Sequence, residues 1–326
     1  MACATPPEDA STDPAHSSLT GAEATGDIDS TQEVAGTSNR LFRIDPDLPP
    51  GLYVVSTPIG NLRDITLRAL DILASVDLVC AEDTRVTGKL FNAFGVSARL
   101  RPYHDHNGAQ ARPGLLKDLE SGARIALVSD AGTPLISDPG YKLVREAAEK
   151  GIAVIAIPGA SAPLAALAAS GLPSDRFMFA GFPPPRSAAR KRFLAEMKSA
   201  QSTLIFFEGP SRLIASLSDM AEVLGVRDAV VARELTKKFE EIRRGKLADL
   251  AAHYEREGPP RGEIVVLVGP SDAAPETDAA ALDAAILAAD DTRPLKEIAA
   301  EIAEKFGLKR RDVYERALEL RETDEA

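Results

Sequence analysis

Short apolar runs recur at a regular pitch between residues 51 and 158, and several of them end in polar or turn-forming residues. Stretches of helical periodicity separate them, such as Asp64–Val76 and Gly140–Lys150. This alternation predicts an α/β domain built on a parallel, doubly wound sheet with helices on both faces. Ligands bind at the carboxyl ends of such strands, so we expect the chemistry there. The five predicted strands are Leu52–Thr57, Asp77–Asp83, Arg99–Asp105, Arg124–Asp130 and Ala153–Pro158.

The alternation becomes less regular after a proline-rich boundary at Phe182–Pro185. The later pattern predicts a second α/β domain with a mixed sheet, and we divide the chain into an N-terminal domain at 49–172 and a second at 173–271. The predicted elements of the second domain are strands at Ser202–Glu208, Ala229–Leu235 and Glu263–Val268, and a helix at Ser211–Leu224.

Both ends of the chain differ from this middle part. Residues 1–48 are predicted to be a disordered acidic tail, because the first 40 are small or polar and offer few large apolar side chains. Residues 272–281 are a predicted linker, and 282–326 a small C-terminal helical unit. Its pattern, with Lys309-Arg310-Arg311 opening the last helix, is explained equally well by a helix-turn-helix and by a helical cap packed on the core.

The net charge of -11 comes from the two ends of the chain. Residues 1–39 hold seven acidic and no basic side chains, and 272–326 hold 15 acidic and 8 basic ones. This leaves 30 basic against 27 acidic residues in 40–271, so the middle of the chain is slightly basic. The overall acidity therefore does not exclude a nucleic-acid partner.

Nothing in the sequence predicts a membrane or secreted protein. The uncharged segment Gly151–Ser174 is interrupted by Pro158, Gly159, Pro163 and Gly171, which predicts a buried strand, a turn and a helix rather than a membrane span. The first 40 residues lack an apolar signal segment, and two cysteines cannot form a disulfide framework. We expect a cytoplasmic protein.

The sharpest local motif is Ser129-Asp130-Ala131-Gly132-Thr133-Pro134, between a strand and a helix. Glycine allows a ligand close to the backbone, and Thr and Asp offer hydrogen bonds, although a plain turn would need similar residues. Loops at Pro58–Leu62 and Pro158–Ala162 follow two other strands, and the small residues of the latter suit an adenine ring or a helix cap at Ser161. None of these loops has the glycine fingerprint of dinucleotide or P-loop sites.

Polar clusters close two further strands of the first domain. The acidic residues of Glu82-Asp83-Thr84-Arg85 have two possible explanations: they face a substrate, or they stabilise the N-terminus of a helix, where acidic side chains are favoured. His104 and His106 lie two apart, which on a strand would place both on one face. Because no third ligand has matching spacing, we expect no metal.

The second domain adds Phe207–Arg212 and Ala232–Lys237 at its strand ends, where salt bridges among Arg233, Glu234 and Lys237 are the simplest explanation. A basic stretch beside the boundary either contacts phosphates or forms a solvated helix face; it contains Arg186, Arg190, Lys191 and Arg192.

Taken together, these motifs resemble the bacterial small-subunit rRNA cytidine 2′-O-methyltransferases of the tetrapyrrole methylase superfamily. The resemblance covers about residues 51–322, and five strings carry it in order: Thr57–Thr66, Ala81–Arg85, His104–Asn107, Ser129–Gly140 and Arg233–Lys237. It implies a homodimer that binds S-adenosyl-L-methionine in a bent conformation between its two domains, without a metal. The implied substrate is a cytidine ribose in the decoding region of an assembled small ribosomal subunit.

The resemblance also implies site residues. The implied cofactor contacts are Pro58, Gly60, Asp130, Ala131, Gly132, Thr133, Pro134, Ser161, Ala162, Phe207 and Arg233. The candidate substrate contacts are Arg85, His104, His106, Arg186, Arg190, Lys191 and Arg192.

Methylation of a ribose hydroxyl requires removal of its proton or a cation that stabilises the developing alkoxide. Glu82 and Lys237 are the first candidates for these tasks, followed by Asp83 and Glu234. Two other functions remain open at this stage. One is a corrinoid or porphyrin methylase of the same superfamily, and the other is a non-enzymatic rRNA- or ribosome-binding protein.

Overall fold

The computed structural model describes residues 41–271, 279–289, 293–306 and 308–324. Most of the predicted acidic tail, the first seven residues of the predicted linker and Gly307 lie outside these ranges. None of the described helices is long and apolar enough to cross a membrane.

The first half of the chain forms a five-stranded sheet in which every pairing is parallel, as predicted. The strand order is β3-β2-β4-β1-β5. Its strands are β1 (Gly51–Val55), β2 (Leu78–Ala81), β3 (Leu100–Pro102), β4 (Arg124–Val128) and β5 (Val154–Ile157). Its helices are α1 (Leu67–Ser75), α2 (Thr84–Phe94), α3 (Asp105–Glu120), α4 (Tyr141–Glu149) and α5 (Ala162–Ser170).

Successive residues of these strands point to opposite faces, and each face has its own apolar core. Val79 and Ala126 belong to the core that contains α1, whereas Leu78 and Ile125 belong to the core that contains α3 and α4. Helices therefore cover both faces. The strands end earlier than predicted, so the polar ends of the predicted strands lie in loops at the carboxyl edge.

The second half forms a mixed sheet of order β6-β7-β10-β8-β9, with β6 parallel to β7 and the other pairings antiparallel. Its strands are β6 (Phe177–Gly181), β7 (Thr203–Glu208), β8 (Asp228–Arg233), β9 (Glu241–Lys246) and β10 (Ile264–Val268). Its helices are α6 (Ser187–Ala195), α7 (Leu213–Leu224) and α8 (Leu247–Glu257).

β6 precedes the proline-rich segment Phe182–Pro185 and already pairs with β7, so the second sheet begins before those prolines, within the predicted second domain at 173–271. One face of the second sheet packs on parts of the first half. Ile59, from the loop after β1, and Leu167, from α5, share a core with Ile205 and Val265. This shared core brings the loops of the first sheet against the second.

The C-terminal segment is helical, as predicted, with α9 (Ala279–Leu287), α10 (Leu295–Phe306) and α11 (Arg310–Asp324). α9 begins inside the predicted linker. The three helices bury a small core of their own, which includes Ile286, Ile298, Ile302 and Val313.

Candidate active site

A cavity of about 340 Å³ lies where the loops of the first sheet meet the second sheet. We call it the central cleft. Its volume falls within the range of about 300–1,000 Å³ that is typical of small-molecule sites. The first half contributes Ile59, Ala131, Gly132, Thr133, Ser161 and Ala162, and the second half contributes Phe182, Phe207, Glu208, Ala232, Leu235 and Val265.

The loop after β4 is fastened to the loop after β1 by a backbone pair. The N–H of Thr57 donates to the carbonyl of Gly132 over 2.9 Å, and the N–H of Gly132 donates back over 3.0 Å. Gly132 has φ +78°, and a Cβ there would lie 3.3 Å from Ile59. The hydroxyls of Ser56 and Thr133 lie 3.0 Å apart. These contacts hold the backbone of residues 131–133 at the wall of the cleft.

Not every residue of that motif reaches the central cleft. Asp130 points to a neighbouring cavity, and its Oδ1 accepts the N–H of Asp83 over 2.9 Å. Pro134 lines neither cavity. Ser161 does stand at the N-cap of α5, but its side chain makes no capping hydrogen bond.

The second half supplies an aromatic wall and a buried acid. The ring of Phe207 packs against Phe179 and Phe182, with centroids 4.9 and 5.3 Å apart. Glu208 is 3% exposed; its Oε1 accepts the N–H of Gly209 over 2.8 Å and pairs with Arg212 over 2.7 Å. Its Oε2 is buried without a hydrogen-bond partner among the described residues. A buried oxygen of this kind calls for a donor, which a bound ligand can supply.

A second cavity of about 280 Å³, the lysine cavity, shares Ile59, Ala131 and Glu263 with the central cleft. Besides Ala131, the predicted site residues that line it are Pro58, Gly60, Asp130 and Lys237.

Lys237 donates to Glu234 over 2.8 Å and to Glu263 over 3.0 Å. Burial disfavours its charged form, but the hydrogen bonds that it donates to the two carboxylates outweigh burial, so the pKa of Lys237 is raised. The same hydrogen bond from Lys237 lowers the pKa of Glu234. At neutral pH Lys237 is protonated and cannot accept a proton, and the lowered pKa makes Glu234 a weaker base than an ordinary glutamate, so neither is suited to accept a proton in catalysis.

This ion-pair cluster depends on a glycine of the opposite half. A Cβ on Gly60, which has φ +154°, would lie 2.5 Å from Cγ of Lys237. The backbone N–H of Asn61 donates to Oγ1 of Thr236 over 3.1 Å. The loops after β1 and β8 are thus in direct contact.

Asp138, which the sequence analysis did not single out, lies in the loop between β4 and α4. It lines both the central cleft and a third cavity of about 190 Å³, the tyrosine cavity. Burial is the main cause that raises the pKa of Asp138 to about 6; a Ser129 hydrogen bond opposes the shift, and Glu82 and Asp130 add to it. A carboxyl group of this kind accepts a proton near neutral pH more readily than an ordinary aspartate.

Glu82 follows β2 and is half-buried, but it lines none of the three cavities. Burial raises its pKa, with Asp130 contributing. Asp83 is the N-cap of α2 and pairs with Arg85 over 2.6 Å. The Arg85 hydrogen bond lowers the pKa of Asp83 to about 2, which argues against Asp83 as a proton acceptor.

The candidate substrate contacts are dispersed. Arg85 is exposed, and its guanidinium forms an ion pair with Asp83. The sequence suggested that His104 and His106 lie on a strand. They lie instead at the start of α3, because β3 ends at Pro102. Only His104 lines a cavity, the tyrosine cavity.

The basic stretch around α6 is divided between surface and interior. Arg190 is 3% exposed and pairs with Asp219 over 2.6 Å, so its guanidinium cannot reach a phosphate and this assignment is corrected. Lys191 pairs with Glu222 over 2.5 Å. Arg186 and Arg192 are exposed.

Arg233 lines none of the three cavities; it pairs with Glu241 over 3.2 Å, and its guanidinium donates to the carbonyl of Arg261. The described part of the chain contains no group of three or more His, Cys, Asp or Glu residues that could hold a metal ion.

Residues 51–251 match the family model described as Tetrapyrrole (Corrin/Porphyrin) Methylases, and residues 276–321 match the one described as RsmI C-terminal HTH domain. Diphthine synthase has a similar fold, with a TM-score of 0.53 and 18% identity, over 67% of this chain and 89% of that one. The methyltransferase CobJ is similar with a TM-score of 0.52 and 19% identity, over 68% and 94%. Fold, cleft and family match together define the class as tetrapyrrole methylase.

Two relatives narrow the class. The chain is 51% identical to ribosomal RNA small subunit methyltransferase I of Mesorhizobium japonicum, over 85% of this chain and 94% of the relative. It is 50% identical to the protein of the same name from Vibrio cholerae, over 84% and 96%. The chain therefore belongs to the ribosomal RNA small subunit methyltransferase I family of tetrapyrrole methylases. The resemblance stated from the sequence is confirmed, and the second match favours a helix-turn-helix over a helical cap.

Proposed function

We propose that this protein transfers a methyl group from S-adenosyl-L-methionine to the 2′-hydroxyl of a cytidine ribose in small-subunit rRNA, near the decoding centre. The observation that carries the proposal is the central cleft, which joins the two sheets in a chain of the rRNA methyltransferase family. The names of the relatives support the rRNA substrate.

The residues of the central cleft suit the cofactor. The backbone of Ala131–Thr133 and the small residues Ser161 and Ala162 would hold it against the apolar wall around Phe207. Glu208 would accept a hydrogen bond from it, because its buried Oε2 has no partner among the described residues. When bound, S-adenosyl-L-methionine supplies a methyl group made reactive by its positively charged sulfur.

The chain must then remove the proton of a weakly acidic ribose hydroxyl. Of the acids near the cleft, we favour Asp138 over Glu82 as proton acceptor, because Asp138 lines both the central cleft and the tyrosine cavity. Glu82 would act through Asp138, since its charge raises the pKa of that carboxyl. Lys237 remains a cation near the loop after β1, where it would position that loop rather than accept the proton.

A homodimer in the cytoplasm is part of the proposal. Apolar side chains are exposed on β5, on α5 and on β6, where β5 and β6 are each an outer strand of one sheet. A dimer interface would cover these side chains, which are Val154, Leu164, Phe177 and Met178. Light scattering of the purified full chain measures the oligomeric state, and a monomer at micromolar concentration would contradict this part.

The decisive experiment is methyl transfer from labelled S-adenosyl-L-methionine to small ribosomal subunits that lack the modification. We expect label in the rRNA and one new alkali-resistant bond after a cytidine, because alkaline cleavage requires a free 2′-hydroxyl. Label at a base would refute the 2′-O assignment. Cofactor binding without rRNA labelling, together with methylation of an added tetrapyrrole, would favour a corrinoid or porphyrin methylase. RNA binding without cofactor binding would favour a non-enzymatic ribosome-binding protein.

A further inference from the structure

The tyrosine cavity shares Asp138 with the central cleft and is otherwise walled by the starts of two helices. Tyr103 and His104 come from the loop after β3, Gly108 comes from α3, and Tyr141 and Lys142 come from the first turn of α4. We propose that this cavity binds the ribose and an adjoining phosphate of the RNA nucleotide that receives the methyl group. The inference rests on the proposed function and adds the place where its substrate binds.

Asp138 supplies the group that a ribose hydroxyl requires, namely a hydrogen-bond acceptor between the two cavities. Its position is fixed by an unusual loop, because Leu135 has φ 74° and Ser137 has φ 70°. Gly140, with φ +130°, packs so closely that a Cβ there would lie 2.6 Å from Leu127. Left-handed conformations at residues other than glycine are costly and are concentrated at functional sites. This loop conformation places Asp138 in the wall between the central cleft and the tyrosine cavity.

Lys142 and the start of α4 supply the groups that a phosphate requires. Lys142 is exposed and makes no ion pair with any residue that the structure describes. α4 has no side-chain cap at its N-cap, Gly140, so its first N–H groups remain available to an anion. The cavity is also lined by Arg112, but its guanidinium already forms an ion pair with Glu146 over 2.7 Å. Asp105 opposes an anion, but it is exposed at the rim and screened by solvent.

Tyr141 supplies a stacking surface for the base. It is the first residue of α4, lines the cavity and is 62% exposed. Single-stranded nucleic acids bind by stacking bases on aromatic rings beside cationic groups. A hydroxyl acceptor, an unpaired cation and an aromatic ring match the ribose, the phosphate and the base of a nucleotide. A tetrapyrrole, which is larger and carries several carboxylates, does not match a cavity of about 190 Å³.

The test measures RNA binding by the full chain in the presence of S-adenosylhomocysteine. The probe is a fluorescein-labelled RNA pentanucleotide with a central cytidine, and the readout is fluorescence anisotropy. We expect Tyr141→Ala and Lys142→Ala each to raise the Kd about tenfold, through lost stacking and a lost phosphate contact. Tyr141→Phe keeps the ring, and Lys117→Ala removes an exposed lysine at the far end of α3, so both should bind like the wild type.

Cofactor binding and subunit methylation separate the two hypotheses. If the wild type methylates small subunits but Tyr141→Ala and Lys142→Ala bind the pentanucleotide as well as the wild type does, the proposed nucleotide pocket is overturned. The proposed methyltransferase function then still holds. Failure of the wild type to bind the pentanucleotide at millimolar concentration also overturns the pocket. A wild type that neither binds S-adenosyl-L-methionine nor labels rRNA overturns the proposed function itself. Weakened RNA binding with unchanged cofactor binding supports the pocket.

Discussion

Asp138→Asn should make the protein more stable and nearly inactive. In the folded chain, burial raises the pKa of this carboxyl from 3.8 to about 6, with Glu82 and Asp130 adding to the shift and a Ser129 hydrogen bond opposing it. The folded state therefore disfavours the ionised form. Two pKa units correspond to about 3 kcal/mol at neutral pH, which is an upper estimate of the stability that the neutral amide restores.

The sign follows from proton binding. Because the folded pKa lies above the unfolded one, the wild type is relatively most stable below about pH 4 and loses stability as the pH rises through about 6. The amide does not titrate, so the advantage of Asp138→Asn should be complete above pH 7 and absent near pH 4. For a chain of this size, each kcal/mol corresponds to a shift in Tm of about 2–4 °C.

Thermal unfolding of the wild type and of Asp138→Asn at pH 4 and pH 7.5 measures this difference, with Asp175→Asn as a control on an exposed aspartate that lines none of the three cavities. Methyl transfer should fall by about 10²–10⁴-fold, as expected for loss of a general base, while calorimetry shows unchanged cofactor affinity. A variant that melts below the wild type at pH 7.5, or whose advantage is the same at both pH values, would refute the argument.

Three further predictions concern other parts of the site and the fold. In the wild type, kcat/KM should rise with pH through about 6, and Glu82→Gln should move this rise to lower pH, because it removes a charge that raises the pKa of Asp138. Gly60→Ala should weaken cofactor binding, measured by calorimetry, by about tenfold, since its Cβ would displace the lysine side chain 2.5 Å away. Arg190→Ala should destabilise the chain by about 3–5 kcal/mol in denaturant titrations, because it leaves a buried carboxylate unpaired.

Matched variants make these predictions specific. Gly88→Ala lies on α2, where an added Cβ meets nothing within 4 Å, so it should leave cofactor binding unchanged. Arg192→Ala removes an exposed arginine from the helix that carries Arg190 and should change stability by less than about 0.5 kcal/mol. Equal losses in a variant and its control would contradict the proposed cause, and an unshifted pH profile in Glu82→Gln would separate that residue from Asp138.

The first sheet could be predicted because its central strands are buried on both faces, and such strands appear in the sequence as continuous apolar runs. The same rule explains what was missed. β9 is an edge strand in which four of six residues are charged, so no apolar run marks it. β6, the opposite edge strand, leaves Phe177 and Met178 exposed, and it lies before the prolines that suggested a boundary.

The loops at the ends of the strands were also accessible from the sequence, since Ala131–Thr133, Ser161 and Phe207 line one cleft. Asp138 was not, because it lies ten residues beyond the end of β4 and only tertiary packing brings it between two cavities. Glu208 is a candidate ligand contact because its buried Oε2 has no hydrogen-bond partner among the described residues, and residue spacing in the sequence cannot reveal this. The histidines were placed on the wrong element because β3 spans only three residues.

The central cleft requires both halves of the chain at once. Gly60, from the first half, leaves room for Lys237 of the second, and Lys237 in turn binds Glu234 and Glu263. Within the second half, Gly262 leaves room for Glu234, since a Cβ there would lie 2.4 Å from the carboxyl of Glu234. The contact between Gly60 and Lys237 and the hydrogen bond from Asn61 to Thr236 each require both halves, so neither half alone can form this junction between the loops after β1 and β8. A ligand that binds between these loops therefore favours the assembled arrangement of both halves, and cofactor binding should stabilise them together as one unit.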